Sequence, residues 1–259
     1  MSKRPLILVT NDDGIVAPGI KALVEVAREF GEVVVVAPDS PQSGKGHAIT
    51  LEQPLRMRKV NQFEGVASYE CDGTPADCVK LAKNVLLRDR NIDLCVSGIN
   101  HGSNASINIL YSGTMSAAME ASLENIDSVG FSLLDFDFEA DFTGAQAVAR
   151  SVIGNILKEG LRGTRLLNIN IPKLPAEEIK GIKVCTQASG MWIEDFQKGE
   201  DPRGEEYYWL TGKFVVDEEH KDTDIYWLKH GYASVVPSQH DLTHYKAIAG
   251  LGYLEGFNE

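Results

Sequence analysis

One pattern limits the fold of this chain more than any other: short unbroken apolar runs alternate with stretches of helical periodicity. Leu6-Ile7-Leu8-Val9 is the first such run and Val33 to Ala37 the second. A strand reads this way when both of its faces are covered, as inside a parallel sheet. Between them Ile20, Leu23, Val24, Ala27 and Phe30 recur at helical spacing, with Pro18 near the start and Gly31 just past the end. That is the expected punctuation of a helix. The result is a β-α-β unit, whose right-handed crossover brings the C-terminal ends of both strands to one edge of the sheet.

The alternation continues. Thr74-Pro75-Ala76-Asp77 opens a second helix, with Val79, Leu81, Ala82, Val85 and Leu86 predicted on its buried face. Asp93 to Ser97 predicts a third core strand, and a helix begins near Ser112. A strand at about Val129 to Leu133, a helix from about Thr143 to Leu157 and a strand from Leu166 to Ile171 complete the series. The class predicted is α/β: an open, mostly parallel sheet with helices on both faces. From about residue 188 the texture changes, as Trp192, Tyr207, Tyr208, Trp209, Tyr226 and Trp227 become interleaved with charge, Pro and Gly. The chain is therefore expected to divide into a catalytic core, 1–187, and a C-terminal extension, 188–259, that wraps the core or makes subunit contacts.

The 259 residues, 43% of them hydrophobic, suffice for one large core. The excess of 37 acidic over 25 basic residues, a net charge of -12, argues against binding a DNA or RNA backbone, where Lys and Arg must neutralise phosphates. It also means that a phosphorylated small substrate needs local relief from the field, which a bound cation supplies. Cys71, Cys78, Cys95 and Cys185 show no zinc spacing and read as small buried hydrophobes. The basic start, Met1-Ser2-Lys3-Arg4, precedes an apolar run too short for a signal peptide or membrane span. A cytoplasmic protein is expected.

Ligands of open α/β sheets bind outside the carboxyl ends of the strands. Three predicted strands end in loops that combine oxygen-bearing side chains with glycine: Thr10-Asn11-Asp12-Asp13-Gly14, Asp39-Ser40-Pro41-Gln42-Ser43-Gly44 and Gly98-Ile99-Asn100-His101-Gly102. Asp12 and Asp13 would repel one another unless a cation or proton lay between them. Asp-Gly is also a common turn pair, so a simple polar turn is the competing reading. Ser43 and Asn100 at equivalent strand ends favour a metal site. Carboxylate, hydroxyl and amide oxygens suit Mg²⁺, Mn²⁺ or Ca²⁺ rather than zinc. Tyr111-Ser112-Gly113-Thr114 leads into a helix whose first N–H groups suit a phosphate, although an ordinary Ser cap gives the same sequence. No Gly-x-Gly-x-x-Gly follows the first strand and there is no Gly-x-Ser-x-Gly elbow. His47 and His101 fall on the same loops, and His240, Asp241 and His244 read as surface polar residues.

Five segments resemble, in order, the SurE (survival protein E) nucleotidases. They are Thr-Asn-Asp-Asp-Gly-Ile (10–15) with Ala-Pro-Gly-Ile (17–20), Ala-Pro-Asp (37–39) with Gln-Ser-Gly (42–44), Gly-Thr-Pro-Ala-Asp-Cys-Val (73–79), Val-Ser-Gly-Ile-Asn (96–100), and Tyr-Ser-Gly-Thr (111–114) with Ala-Ala-Met-Glu (117–120). They span about the first half of the chain, and Gly-Tyr-Ala-Ser-Val (231–235) is a weaker echo. The resemblance implies a Rossmann-like core, a C-terminal extension used in subunit exchange, and a homodimer or homotetramer. It implies a divalent cation on Asp12, Asp13, Ser43 and Asn100. It further implies phosphate release from 5'- and 3'-nucleoside monophosphates, and in some members from short polyphosphate. Two departures stand out: Ser106 where the family commonly has the last glycine of a spaced stretch, and Ala121 where glycine commonly follows Glu120.

On this reading the cation lowers the pKa of a bound water and polarises a phosphoryl oxygen. Asp12 is the expected catalytic residue, ligating the metal and steering the water. Ser112, Gly113 and Thr114, with the backbone at Gly44, neutralise the phosphate, and Asn11 orients it. Direct attack by an aspartate, forming an acyl phosphate, is the open alternative. A receiver-like signalling domain would also place an acidic pair after its first strand, but it would be about half this length and would need a later-strand lysine that is not evident. A non-catalytic nucleotide-binding scaffold is the remaining class.

Overall fold

The computed structural model of the protein describes residues 4–137, 139–216 and 220–255; Met1 to Lys3 of the basic N-terminus lie outside them. In chain order the elements are β1 (Leu6–Thr10), α1 (Pro18–Phe30), β2 (Glu32–Pro38), β3 (Met57–Val60), β4 (Ala67–Cys71), α2 (Pro75–Leu81), β5 (Leu94–His101) and α3 (Gly113–Leu123). They continue as β6 (Ser128–Leu133), α4 (Thr143–Glu159), β7 (Leu166–Ile171), β8 (Ile182–Val184), β9 (Gly190–Glu200), β10 (Glu206–Val216), α5 (Asp224–Lys229) and β11 (Ala233–Ser238). Nine strands form one sheet in the order β3-β4-β2-β1-β5-β6-β7-β11-β8. Pairing is parallel from β4 through β7, and antiparallel where β3 joins β4 and β11 joins β7. This is a Rossmann-like open sheet.

The apolar runs become the middle of that sheet because both faces are covered. On one face α1 and α4 pack over Ile7, Val9, Val33, Val35, Leu94, Val96 and Phe131. On the other, α2 and α3 pack over Leu6, Leu8, Val34, Val36 and Cys95. Each fully buried large side chain here contributes about 1.5–3 kcal/mol. α1 crosses close to β5: a Cβ on Gly19 would sit 1.9 Å from the Ile99 carbonyl oxygen, so only glycine lets the helix lie there. The neighbours of β1 are β2 on one side and β5 on the other, reached in opposite directions along the sheet. That makes the β1/β5 boundary the topological switch point, where a crevice opens at the strand ends.

One expectation changes. Val85, predicted on the buried face of the second helix, is 62% exposed. Regular spacing stops at Leu81 and Ala82–Leu86 adopts wider π-helical winding, which rotates later residues off the apolar face. Within the segment after 187, β11 joins the main sheet by pairing with β7. Its β9–β10 hairpin does stand apart as a separate two-stranded sheet. All four cysteines are buried and unpaired. Among the described residues no helix is long and apolar enough to cross a membrane.

Candidate active site

β1 ends at Thr10 opposite Ser97 of β5, which sets Asn11 to Asp13 beside Asn100 and His101. Backbone hydrogen bonds stitch the neighbouring loops to this edge. Gln42 N–H donates to the Asp12 carbonyl at 2.7 Å, Ile15 N–H to that of Pro38 at 2.9 Å, and Gly46 N–H to that of Tyr111 at 3.3 Å. The loop carrying Ser43 is thereby held against both the β1 loop and the start of α3. Asp12, Ser43, Gly44, Asn100 and Ser112 all line one cavity of about 870 Å³. Asn11, Asp13, Gly113 and Thr114 do not line it.

Asp12 is 3% exposed. Burial first, then the neighbouring Asp13, pushes its carboxyl from an ordinary 3.8 up to about 6, against the opposing pull of hydrogen bonds from Thr114. The Thr114 hydroxyl donates to Asp12 Oδ1, and its backbone N–H also points at this carboxylate. The positive end of α3 therefore grips Asp12. Gly113 packs on the same side chain, where an added Cβ would lie 2.6 Å from Asp12 Cβ and 2.8 Å from Oδ2. The Asp13 carboxyl is also raised by burial, opposed by the ring and backbone N–H of His101. Neither carboxylate has a Lys or Arg partner among the described residues.

The amide donors around this pair face inward. Asn100 Nδ2 donates to the carbonyls of His101 and Gly102, at 3.1 and 2.9 Å, so that only its Oδ1 could hold a cation. Asn11 Nδ2 donates to the Gly14 carbonyl at 2.9 Å, and its Oδ1 is buried without a partner. Ser112 caps α3, accepting from Met115 N–H at 3.0 Å. Among the described residues no three His, Cys, Asp or Glu gather as a metal site. A cation here would depend on the two carboxylates supplemented by neutral oxygens.

His47 faces α3 instead of the carboxylates. Its Nε2 lies 2.9 Å from Glu120 Oε2, and Lys80 Nζ donates to Oε1 of the same residue at 2.6 Å. Burial alone would raise the Glu120 carboxyl, but hydrogen bonds from His47 and Lys80 outweigh it and lower it. Glu120 thus ties the loop after β2 to α2 and α3. No local sequence signal marks a contact made across 73 positions. Ala121, in the position where glycine was expected, is fully buried in the α2–α3 core.

Asp224 is a buried tie beside the site that has no signal in the sequence. It is fully buried; one carboxylate oxygen accepts from Ser106 N–H at 2.8 Å and the other from Ala188 N–H at 3.0 Å. It joins the loop after β5 to the base of β9. The Thr223 cap on Tyr226 N–H is a local helix-start signal, but the distant partners of Asp224 leave none. Ser106 has φ +56°, the left-handed region that explains why glycine is usual there. Its hydroxyl adds a bond to the Ala188 carbonyl at 2.8 Å. Ser106→Gly should keep the backbone and lower stability by only about 1 kcal/mol. Ser106→Val should cost about 1–3 kcal/mol more, because a β-branched residue resists that φ. Urea unfolding midpoints distinguish the two, and equal losses would remove backbone strain from the explanation.

Comparisons with known proteins bear on this arrangement. The family model described as Survival protein SurE matches residues 7–194. The 5'-nucleotidase SurE of Christiangramia forsetii is 58% identical over 251 residues, covering 96% of each chain. That of Natranaerobius thermophilus is 43% identical over 257 residues, covering 96% of this chain and 98% of its own. The crystal structure of the SurE protein from Aquifex aeolicus superposes with a TM-score of 0.84 at 42% identity, covering 97% of this chain and all of that one.

Proposed function

The chain belongs to the SurE family of 5'-nucleotidases, and on that premise we propose that it hydrolyses nucleoside monophosphates with the help of a divalent cation held by Asp12, Asp13, Ser43 and Asn100. One observation carries the reading: Asp12, Ser43, Asn100 and Ser112 meet on one cavity at the switch point between β1 and β5. The donor set fits Mg²⁺, Mn²⁺ or Ca²⁺, since it consists entirely of oxygens. Two adjacent carboxylates with no Lys or Arg partner among the described residues have the electrostatic need that such an ion meets. When bound, the ion supplies Lewis acidity and a more acidic water.

The chain's own residues do the positioning. Thr114 and Gly113 fix the Asp12 carboxylate through hydrogen bonds and close packing, so its free oxygen holds one direction toward the cavity. Asp12 steers the attacking water. Direct attack by the carboxylate, forming an acyl phosphate, is the alternative. The backbone at Gly44 and the Gly113 N–H, with the Ser112 side chain, neutralise the phosphate. Gly44 has nothing within 4 Å of a would-be Cβ, which leaves room for the phosphate against its backbone. Thr114 and Asn11 act one step back, holding Asp12 and the β1 loop.

Action on 3'-nucleotides and short polyphosphate belongs to the same proposal and rests on the family resemblance. So does a homodimer or homotetramer, supported by the isolated β9–β10 hairpin, which exposes Met191, Ile193, Phe196, Tyr208, Trp209 and Leu210. A cytoplasmic location rests on the four unpaired cysteines.

Phosphate release from AMP, GMP, UMP and p-nitrophenyl phosphate tests the function. We expect release from the nucleotides with Mn²⁺ or Mg²⁺, its abolition by EDTA, and its return on adding back the metal. Full activity in metal-free buffer would sink the cation, and no release from any nucleotide would sink the nucleotidase.

A further inference from the structure

The cavity that holds Asp12 extends well past the carboxylates. Its far wall comes from the β9–β10 hairpin and from loops at the sheet edge: Trp192, Phe214, Val216, Tyr111 and Phe136. A phosphate site alone would not need this wall. At about 870 Å³ the space falls in the range of small-molecule sites, most of which pair an apolar lining with a few polar groups. A second cavity, of about 900 Å³, contains His47, Met119 and Cys185 but neither Asp12 nor Asp13. Only the first has phosphate chemistry at one end and aromatic surface at the other.

We propose that Trp192, backed by Phe214, is the stacking surface for the nucleobase, and so a specificity-determining residue of this site. The proposal deepens the nucleotidase reading and rests on it. Trp192 Nε1–H donates to Asn108 Oδ1 at 2.9 Å, so the edge of the indole is engaged and its orientation fixed. Phe214 supports it with ring centroids 5.6 Å apart and planes inclined at 55°. The wall is also registered to the chemistry. Asp224 bonds both Ala188, at the root of β9, and Ser106, just after the Asn100 loop. Gly190 lies so close that a Cβ would meet Phe214 Cζ and Ser106 Oγ at 2.7 Å each. The stacking surface and the ligand loop are thereby held at a set separation.

Every base has a π-face, so a wall that offers aromatic rings grips bases with little regard to their hydrogen-bonding edges. The site should accept AMP, GMP and UMP with similar KM, and it should hold a base-free phosphomonoester more weakly.

The test compares Trp192→Ala and Trp192→Phe with the wild-type enzyme on AMP and on ribose 5-phosphate, in Mn²⁺ buffer. Trp192→Ala should raise KM for AMP about ten-fold, with kcat held within about two-fold and KM for ribose 5-phosphate unchanged. Trp192→Phe should restore most of the loss. Equal rises for both substrates, or no rise for AMP, would overturn the proposal. A binding readout separates its failure from failure of the nucleotidase reading. Adenosine, titrated to millimolar concentration, should quench tryptophan fluorescence in the wild type but not in Trp192→Ala, whether or not AMP is hydrolysed. No quenching in the wild type overturns the stacking surface even if the enzyme is an active nucleotidase.

Discussion

Replacing Asp12 by Asn should reduce phosphate release from AMP by about a thousand-fold or more and make the cation-free protein more stable above pH 6. Loss of activity together with gain of stability separates a functional carboxylate from a structural one. In the folded protein without a cation, burial and the neighbouring Asp13 push the Asp12 carboxyl up to about 6, against an ordinary 3.8. A group raised in this way gives its full stabilisation below the ordinary value and loses it as pH rises through the folded value. The gap corresponds to about 3 kcal/mol, set against the folded state at pH 8 and absent at pH 3. Asn keeps an oxygen acceptor for Thr114 and removes the buried charge. In EDTA at pH 8 its melting temperature should therefore exceed that of the wild type by roughly 5–10 °C, with the difference vanishing at acidic pH. A divalent cation should stabilise the wild type and leave Asp12→Asn almost unchanged. Wild-type turnover by the variant would make the acidic pair structural.

Gly113→Ala should have nearly as large an effect on turnover. One methyl at this position falls 2.6 Å from Asp12 Cβ and 3.0 Å from Cγ. Neither atom is the free end of a flexible chain, so the carboxylate or the first turn of α3 must move. A displacement of about 1 Å in a positioning group costs about a hundred-fold in rate, and overpacking a buried site costs about 1–3 kcal/mol of stability. We expect kcat for AMP to fall about a hundred-fold while the far-ultraviolet circular dichroism is retained. Ser112→Ala should do less, since it removes a cap worth about 1 kcal/mol without pushing on Asp12. If Gly113→Ala keeps its rate, contact between α3 and Asp12 does not set the geometry of the site.

The parts of the fold legible in the sequence are those whose side chains are buried on both faces. β1 and β2 appear as unbroken apolar runs because helices cover them on each side. β3 and β4, with sequences Met-Arg-Lys-Val and Ala-Ser-Tyr-Glu-Cys, lie at or beside an edge and are half solvated. Their alternation is too short to separate from a loop. β11 went unread for a different reason: it occupies the sheet by pairing antiparallel with β7, more than 60 positions earlier, and no local pattern encodes that partner. The site divides in the same way. Asp12, Ser43, Asn100 and Ser112 were legible because strand ends and helix starts have local signatures. The grip of Thr114 on Asp12, the hold of Glu120 on His47, and the Asp224 link between Ser106 and Ala188 depend on distant segments. The sequence around Thr114 pointed to phosphate, and the helix end turns out to hold the carboxylate first.

The return of β11 also sets a schedule for the ribosome. β7 is complete once residue 171 has emerged, yet the strand that covers its open edge is not finished until residue 238. At about 5–20 residues per second that leaves an exposed parallel sheet edge for roughly 3–13 s on each nascent chain. Any stop before residue 233 yields a protein with its acidic pair in place and a permanently sticky flank, so fragments of this enzyme should be found in aggregates before they are found as active cores.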